Sequence, residues 1–325
     1  MEYKLPNWIL IASVSFALAA AAHAAATGLG PTYPSKPIRI LTSSPGGGGD
    51  FVTRLMLPGL AAGLGQQVVV DNRNGTIGTE IVAKALPDGY TLILHGSTIW
   101  LTPFLRDRAS YDPIRDFAPV IMATRSPNLL VVNPSVPVQS IKDLIALAKG
   151  KPGELNYGSI STGSSNHLAA ELFKSMAGVN IVRVSYKTTA TATSDLISGQ
   201  VQLMFATTGA ATPHVKSARL RALAITSAEP SLLLPGLPTI AASGLPDYEA
   251  SSIFGLFTPA STPAAVVTML NRASRDALLQ SEVKDKFFNA GVEAVGSTPQ
   301  QLAATVKSEM VRMGKVIKDA GIREE

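Results

Sequence analysis

The chain of 325 residues contains no cysteine, so it can form neither a disulfide nor a thiolate nucleophile or metal ligand. Charged residues make up only 16% and aromatic residues 6%, while 46% are hydrophobic, which excludes a disordered polyelectrolyte. The net charge is +5, but no run of Lys or Arg occurs, so the clustered basic footprint of a nucleic-acid-binding surface is missing. These absences favour a globular chain of one large or two ordinary domains, with no nucleic-acid partner.

The first 26 residues have the pattern of an export signal. Lys4 and the amino group supply positive charge, residues 8–22 are almost wholly apolar, and two small-x-small cleavage patterns end at Ala24 and Ala26. The competing interpretation is an uncleaved membrane anchor, but the Ala-rich end of this segment is weakly hydrophobic. We therefore expect residues 1–26 to be a signal peptide that is cleaved near Ala24 to Ala26.

Short β-rich runs alternate with helical patterns along the rest of the chain, which is typical of an α/β fold with parallel strands. The β-rich runs are residues 38–41, 67–71, 90–94, 117–122, 129–132, 181–184, 201–205, 220–226 and 251–257. A capping box at Thr298 and Gln301 opens a long C-terminal helix with an apolar stripe. No long flexible linker occurs, so two lobes would be joined by short crossing strands, for which residues 129–133 and 253–258 are the best candidates.

Two turns rich in Gly, Ser and Thr each follow a β-rich run and precede a helical one. The first turn comprises residues 43–50 (SSPGGGGD) and the second turn comprises residues 161–166 (STGSSN). Backbone N–H groups at a helix N-terminus have no intrahelical acceptor and carry partial positive charge, so they suit an anion. The pair predicts two lobes that hold one small acidic molecule between them.

No catalytic motif accompanies these turns. The chain has no Gly-x-Ser-x-Gly elbow and no Gly-x-x-x-x-Gly-Lys-Ser/Thr loop, and the glycines at 46–49 do not complete a dinucleotide-binding fingerprint. The histidines lack metal-ligand spacing. His167 follows the second turn and could contact a ligand, but a residue oriented by its own helix is the simpler interpretation. We therefore expect no enzyme activity, no metal site and no cofactor.

Several segments, in their order and spacing, resemble the substrate-binding proteins of tripartite tricarboxylate transporters, also called Bug or TctC-like receptors. They include residues 33–39 (YPSKPIR), 87–92 (PDGYTL), 115–120 (RDFAPV), 151–157 (KPGELNY), 167–173 (HLAAELF) and 199–205 (GQVQLMF). Each segment is weak alone, but together they are specific, and the resemblance covers nearly all of the mature chain.

The resemblance implies a type II periplasmic binding protein, an α/β fold with two mixed-sheet lobes, helices on both faces and a ligand cleft between the lobes. Residues 33–130 and 256–325 would form lobe 1, residues 131–255 lobe 2, and two crossing hinge strands would join them. The implied function is a monomeric periplasmic receptor, without catalysis, that delivers a small carboxylated organic acid to a tripartite tricarboxylate-type permease. Two alternatives stay open: a ligand-sensing adaptor without transport, and an exported enzyme that uses the same cleft.

The resemblance also implies that backbone N–H groups and hydroxyls from both lobes hold the carboxylate. The contacts expected in lobe 1 are Ser43, Ser44, Gly47, Gly48, Gly49, Thr76, Ser97 and Thr98. The contacts expected in lobe 2 are Ser161, Thr162, Gly163, Ser164, Ser165, Thr188 and Thr207. For each Ser or Thr, the capping of a helix or turn is the competing interpretation.

Overall fold

The computed structural model describes residues 33–43, 45–73, 77–107, 109–160 and 162–323, so the expected signal peptide lies outside it. Its strands are β1 Ile38–Thr42, β2 Val68–Asn72, β3 Thr91–Gly96, β4 Phe117–Val132, β5 Asn156–Ser159, β6 Val182–Ser185, β7 Leu203–Thr207, β8 Arg221–Ile225, β9 Ser251–Pro259 and β10 Glu293–Ala294. Its helices are α1 Gly48–Leu64, α2 Ile77–Ala83, α3 Thr98–Leu105, α4 Ile141–Gly150, α5 Ser165–Ala177, α6 Thr189–Ser198, α7 Thr208–Lys216, α8 Ala264–Leu279, α9 Ser281–Asn289 and α10 Pro299–Asp319. Within these ranges, no helix has both the length and the apolar character that crossing a bilayer requires.

The strands form two mixed sets that share the long strand β4. In the first set, ordered β2-β1-β3-β9-β4, strand β1 is parallel to β2 and β3, and β9 is antiparallel to β3 and β4. In the second set, ordered β4-β7-β5-β6, strand β5 is parallel to β6 and β7, and β7 is antiparallel to β4. Strands β8 and β10 also pair with β4. Continuous hydrogen bonding through β4 therefore connects the two sets.

Strand β4 is longer than the sequence pattern predicts. Two separate runs were expected at residues 117–122 and 129–132, because the polar segment between them breaks the apolar pattern. That segment instead continues the ladder, with Ser126 opposite Ser252 and Pro127 opposite Ser251 of β9. Neighbouring strands thus override a weak local preference for the β conformation.

Helices cover both faces of each set of strands. This is seen from neighbouring residues of one strand, which belong to different apolar clusters. In β3, Leu94 packs in a cluster with α1 and α8, while Ile93 packs in a cluster with α3. In β7, Phe205 packs with α5 and Met204 packs with α6. This alternation is the period of two expected for strands buried on both sides. The predicted fold class, a mixed-sheet α/β architecture with helices on both faces, is confirmed.

Helix α10 contacts elements of both sets, namely α3 of the first and α5 of the second. The predicted capping box is present: Thr298 Oγ1 accepts from Gln301 N at 3.2 Å, and Gln301 Oε1 accepts from Thr298 N at 2.9 Å. The apolar stripe of α10 enters one cluster that also holds side chains of α3, β9 and α5. Its members include Trp100, Phe257, Phe173, Leu302, Val306, Met313 and Ile317.

Candidate functional site

The loops that follow the parallel strands of both sets approach the same stretch of β4. At the end of β3, Gly96 lies opposite Phe254 of β9, and Phe254 lies opposite Thr124 of β4. At the end of β7, Thr207 lies opposite Asn128 of β4. Strand β7 is antiparallel to β4, whereas β1 and β3 point in the same direction as β4. The loops that follow the parallel strands of the two sets therefore approach β4 from opposite directions. The first turn follows β1 and the second turn follows β5, so the register brings both turns toward the middle of β4.

The two sets also touch through these loops. An added Cβ on Gly163, in the second turn, would lie 2.7 Å from Cδ1 of Leu105, the last residue of α3. Helix α3 begins directly after the end of β3, next to β1. The structure therefore brings together elements that follow β3 and β5, although they are more than fifty residues apart in the chain.

The first turn contains a carboxylate of its own. Asp50 Oδ2 accepts from Gly46 N at 2.9 Å, and Asp50 Oδ1 accepts from Arg54 Nε and Asn72 Nδ2, each at 2.8 Å. Burial raises the pKa of Asp50, but the hydrogen bonds from Arg54, Asn72 and Gly46 outweigh it and hold that pKa below its usual value. The carboxylate therefore stays ionised and places a negative charge at the N-terminus of α1.

The predicted residues of the first turn surround the start of α1. Gly47 is the N-cap of the helix and makes no side-chain capping bond, and Gly48 and Gly49 are its first two residues. An added Cβ on Gly48 would lie only 2.6 Å from Cζ of Phe254, so that ring packs closely against the turn. The Ser43 hydroxyl oxygen is buried and has no hydrogen-bond partner within the described part of the chain. Ser43 thus has a buried hydroxyl without a described partner, next to the amides at the start of α1.

At the end of β3, the hydroxyl of Thr98 is already engaged, since Oγ1 lies 2.9 Å from Nδ1 of His95. Ser97 is the N-cap of α3, but its side chain makes no capping bond. Burial lowers the pKa of His95, so its ring is neutral near pH 7. Of this pair, Ser97 is therefore the residue whose hydroxyl is left for a ligand.

Helix capping accounts for much of the second turn. Ser164 Oγ accepts from His167 N at 3.4 Å as the N-cap of α5, and Gly163 N donates to His167 Nδ1 at 3.1 Å. Burial and, to a lesser degree, the charge of Arg183 lower the pKa of His167 to about 4, so the ring is a neutral acceptor. The ring of His167 is thus oriented by a hydrogen bond from the second turn. Ser165, the first residue of α5, is half-buried.

Among the remaining predicted residues, some use their hydroxyl to cap a helix and others do not. Thr188 is exposed and caps α6, because its Oγ1 accepts from Thr191 N at 3.2 Å. Thr207 is exposed at the N-cap of α7 and makes no side-chain capping bond, so the helix does not engage its hydroxyl. Ser44, Thr76 and Ser161 lie outside the described residues. Thr162 is half-buried and accepts from Arg183 Nη1 at 3.2 Å.

Two residues that the sequence interpretation missed stand beside these groups. Arg183 of β6 holds the segment that enters the second turn. Asn128 of β4 is only 1% exposed, and neither of its amide atoms has a hydrogen-bond partner among the described residues. A buried amide without partners is costly, so Asn128 marks a place where a ligand or water would be bound. In the sequence, the feature that could have indicated Asn128 is its position directly before the apolar run of residues 129–132.

In the described ranges, no three His, Asp or Glu side chains are grouped as metal ligands. The groups near the middle of β4 are hydroxyls, backbone amides, the carboxamide of Asn128 and the guanidinium of Arg125, which lies 3.6 Å from Glu249. The hydroxyls and amides can bind carboxylate oxygens through hydrogen bonds without a formal charge.

Solved structures of similar proteins show what class of protein has this fold. The structure described as R. palustris Rpa4515 with adipate is 39% identical, covers 90% of this chain and 99% of its own, and has a TM-score of 0.75. The periplasmic binding protein BugD is 30% identical, with 90% and 100% covered and a TM-score of 0.73. The fold is therefore that of the periplasmic solute-binding proteins.

Sequence comparison identifies the family. The protein BugT of Bordetella pertussis (strain Tohama I) is 36% identical over 298 residues, which cover 90% of this chain and 91% of BugT. The family model described as the tripartite tricarboxylate transporter family receptor matches residues 52–322. The chain belongs to this family of receptors, which confirms the resemblance found in its sequence segments.

Proposed function

We propose that this receptor is exported to the periplasm, where it binds a small carboxylated organic acid between two lobes and delivers it to a tripartite tricarboxylate-type permease. Three observations support the proposal. The family is one of transporter receptors, BugD is described as periplasmic, and Rpa4515 was solved with adipate. The N-terminal pattern of residues 1–26 agrees with export.

The observation that carries the proposal is the convergence of the first turn and the second turn on the middle of β4. Lobe 1 would comprise residues 33–130 and 256–325, and lobe 2 residues 131–255, with β4 and β9 as the crossing strands. The pairing supports this division, because β4 pairs with β9 up to Pro127 and with β7 from Asn128 onward. A ligand held there would contact both lobes and favour their closure.

The same groups support binding without catalysis. The hydroxyls of Ser43 and Thr207 and the amides at the start of α1 are hydrogen-bond donors. The two histidines beside the turns, His95 and His167, have lowered pKa values because of burial, and each ring nitrogen Nδ1 is already hydrogen-bonded. The set therefore suits the capture of an anion better than general acid–base chemistry, which needs a group poised near the working pH.

A panel of acids tests the proposal. We expect adipate, malate or benzoate at 100 times its dissociation constant to stabilise the mature chain by about 2.7 kcal/mol, which raises the melting temperature by several degrees. Isothermal titration calorimetry should then give one ligand per chain, and the corresponding neutral amides should not bind. If no carboxylic acid in a broad panel raises the melting temperature, the proposed function is wrong.

A further inference from the structure

Arg183 clamps the chain at the entry to the second turn with three hydrogen bonds. Its Nε donates to Ser159 Oγ at 2.7 Å, its Nη2 to the Ile160 carbonyl at 2.7 Å, and its Nη1 to Thr162 Oγ1 at 3.2 Å. Arg183 lies opposite Tyr157 in the β5–β6 pairing, so the guanidinium reaches from the side of the sheet to the end of β5. A rigid planar fork of this kind fixes the positions of the groups that it contacts.

The hydroxyl of Thr162 keeps its own proton. A hydroxyl can accept two hydrogen bonds and donate one, and Thr162 accepts from the guanidinium. Hydrogen bonds in a chain polarise one another, so a hydroxyl that accepts from a cation becomes a better donor. Ser159 is fully buried, whereas Thr162 is half-buried within the turn, so Thr162 is the hydroxyl that faces accessible space.

The charge of Arg183 is not neutralised locally. Other arginines, such as Arg39 and Arg312, form ion pairs with carboxylates, whereas none of the ion pairs between described residues includes Arg183. In the first turn, by contrast, Asp50 at the start of α1 is paired with Arg54. The second turn therefore has a cation without an ion-pair partner among the described residues, and that cation favours an anion there.

We propose that Arg183 is a positioning and specificity-determining residue, which fixes the second turn and, through the Thr162 hydroxyl, selects a ligand carboxylate at that turn. This inference rests on the proposed function, since it concerns the same cleft. It assigns the ligand an orientation: a ligand carboxylate lies at the second turn.

Calorimetric titration of three variants tests the inference, with the probe being whichever of adipate, malate and benzoate most stabilises the wild type. Arg183→Gln should weaken binding at least tenfold and flatten the dependence of affinity on NaCl between about 20 and 200 mM. Arg183→Lys, which keeps the charge but loses the planar fork, should bind more weakly than the wild type but keep the salt dependence. Arg221→Gln is the matched control. Arg221 also donates to backbone carbonyls, those of Val136 and Val138, but these lie after β4 and away from the second turn. This control should leave affinity unchanged.

A double-mutant cycle tests the role of the hydroxyl. Thr162→Val should weaken binding about tenfold in the wild type but less than twofold in the Arg183→Gln background, because the polarising cation is then absent. Equal effects in both backgrounds overturn the relay through Thr162. Arg183→Gln with wild-type affinity and salt dependence overturns the whole inference while the proposed function stands. If Arg183→Gln does not fold, Arg183→Lys decides: loss of the salt dependence in this charge-retaining variant overturns the role of the charge. A wild type that binds no acid overturns both proposals.

Discussion

Asn128 is a single buried residue whose cost to the folded state can be measured. Neither of its amide atoms has a partner in the described structure, so Asn128→Leu replaces an unsatisfied polar group by an apolar one of similar size. We expect the free energy of unfolding of the ligand-free protein to rise by about 1–2 kcal/mol. Affinity for the acid should fall at least tenfold, since the amide is placed where both turns converge. Urea denaturation and calorimetry measure the two effects.

Asn133, at the end of the same strand, is the matched control for Asn128. Its Nδ2 donates to the Leu196 carbonyl at 2.8 Å, and its Oδ1 accepts from Ser135 N at 2.9 Å. Asn133→Leu should therefore lower the free energy of unfolding by about 1–3 kcal/mol and leave affinity unchanged. If both variants destabilise the protein equally, the amide of Asn128 is not unsatisfied.

Titration of the His167 ring makes the free energy of unfolding depend on pH. Its pKa is about 4 in the folded protein, because burial and Arg183 disfavour the charged ring, against 6.5 for the ordinary side chain. Between these values the unfolded chain binds more protons, so the free energy of unfolding decreases as pH falls from about 6.5 to about 4. The full loss from this group is about 3 kcal/mol. Urea denaturation at a series of pH values measures it.

His167→Asn isolates the contribution of this ring from those of other titrating groups. The amide oxygen of asparagine can accept from Gly163 N in place of Nδ1, but it does not titrate. The charges that act on the ring, Arg183, Glu171 and Lys174, are all retained. Stability of this variant should fall less steeply over the same pH range. An unchanged slope would show that His167 is not the responsible group.

At the scale of elements, helix α7 is restrained by the turn after α9. An added Cβ on Gly209 would lie 2.8 Å from the carbonyl oxygen of Ala290, which is closer than such atoms approach. Gly209→Ala should therefore lower the free energy of unfolding by about 1–3 kcal/mol. Gly150→Ala at the end of α4 is the control, because its Cβ would meet no atom within 4 Å. It should stabilise the protein by about 0.5–1 kcal/mol, so thermal unfolding of the pair should give opposite signs.

The sequence predicted best those elements whose signals are local. The capping box at Thr298 and Gln301 follows from side chains within one helical turn. At the start of α8, Pro263 is the N-cap, and Thr262 Oγ1 donates to the Pro259 carbonyl at 2.7 Å. Competing local bonds of this kind shift a boundary by a residue.

Residues defined by tertiary contacts were not predictable in the same way. The sequence correctly predicted the positions of the two turns between strand and helix. It gave no indication that Arg183 reaches three groups of the second turn, or that Asp50 fills part of the first. Both facts depend on how β5, β6, β1 and β2 are ordered in the sheet, which periodicity alone does not reveal.

At the scale of the whole molecule, the proposed closure of two lobes can be followed because the chain has no cysteine. Lys84 and Lys216 are exposed and belong to different proposed lobes, so Lys84→Cys with Lys216→Cys can carry a specific pair of dyes. We expect the energy-transfer efficiency to change when the acid is added. The exposed pair Lys149 and Lys216, both in proposed lobe 2, should show no change. Binding by calorimetry without a change in either pair would contradict closure.

Strand β4 and the cluster that holds both Trp100 and Phe173 tie the two ends of the molecule together. Each end has an apolar cluster of its own, but removing one end would also expose the side chains that the other contributes to the shared cluster. The polypeptide should consequently melt in a single calorimetric transition, and the amide hydrogens of β4 should be among the last to exchange with deuterium. The proposed closure of two lobes would therefore have to twist strand β4, which both sets of strands share.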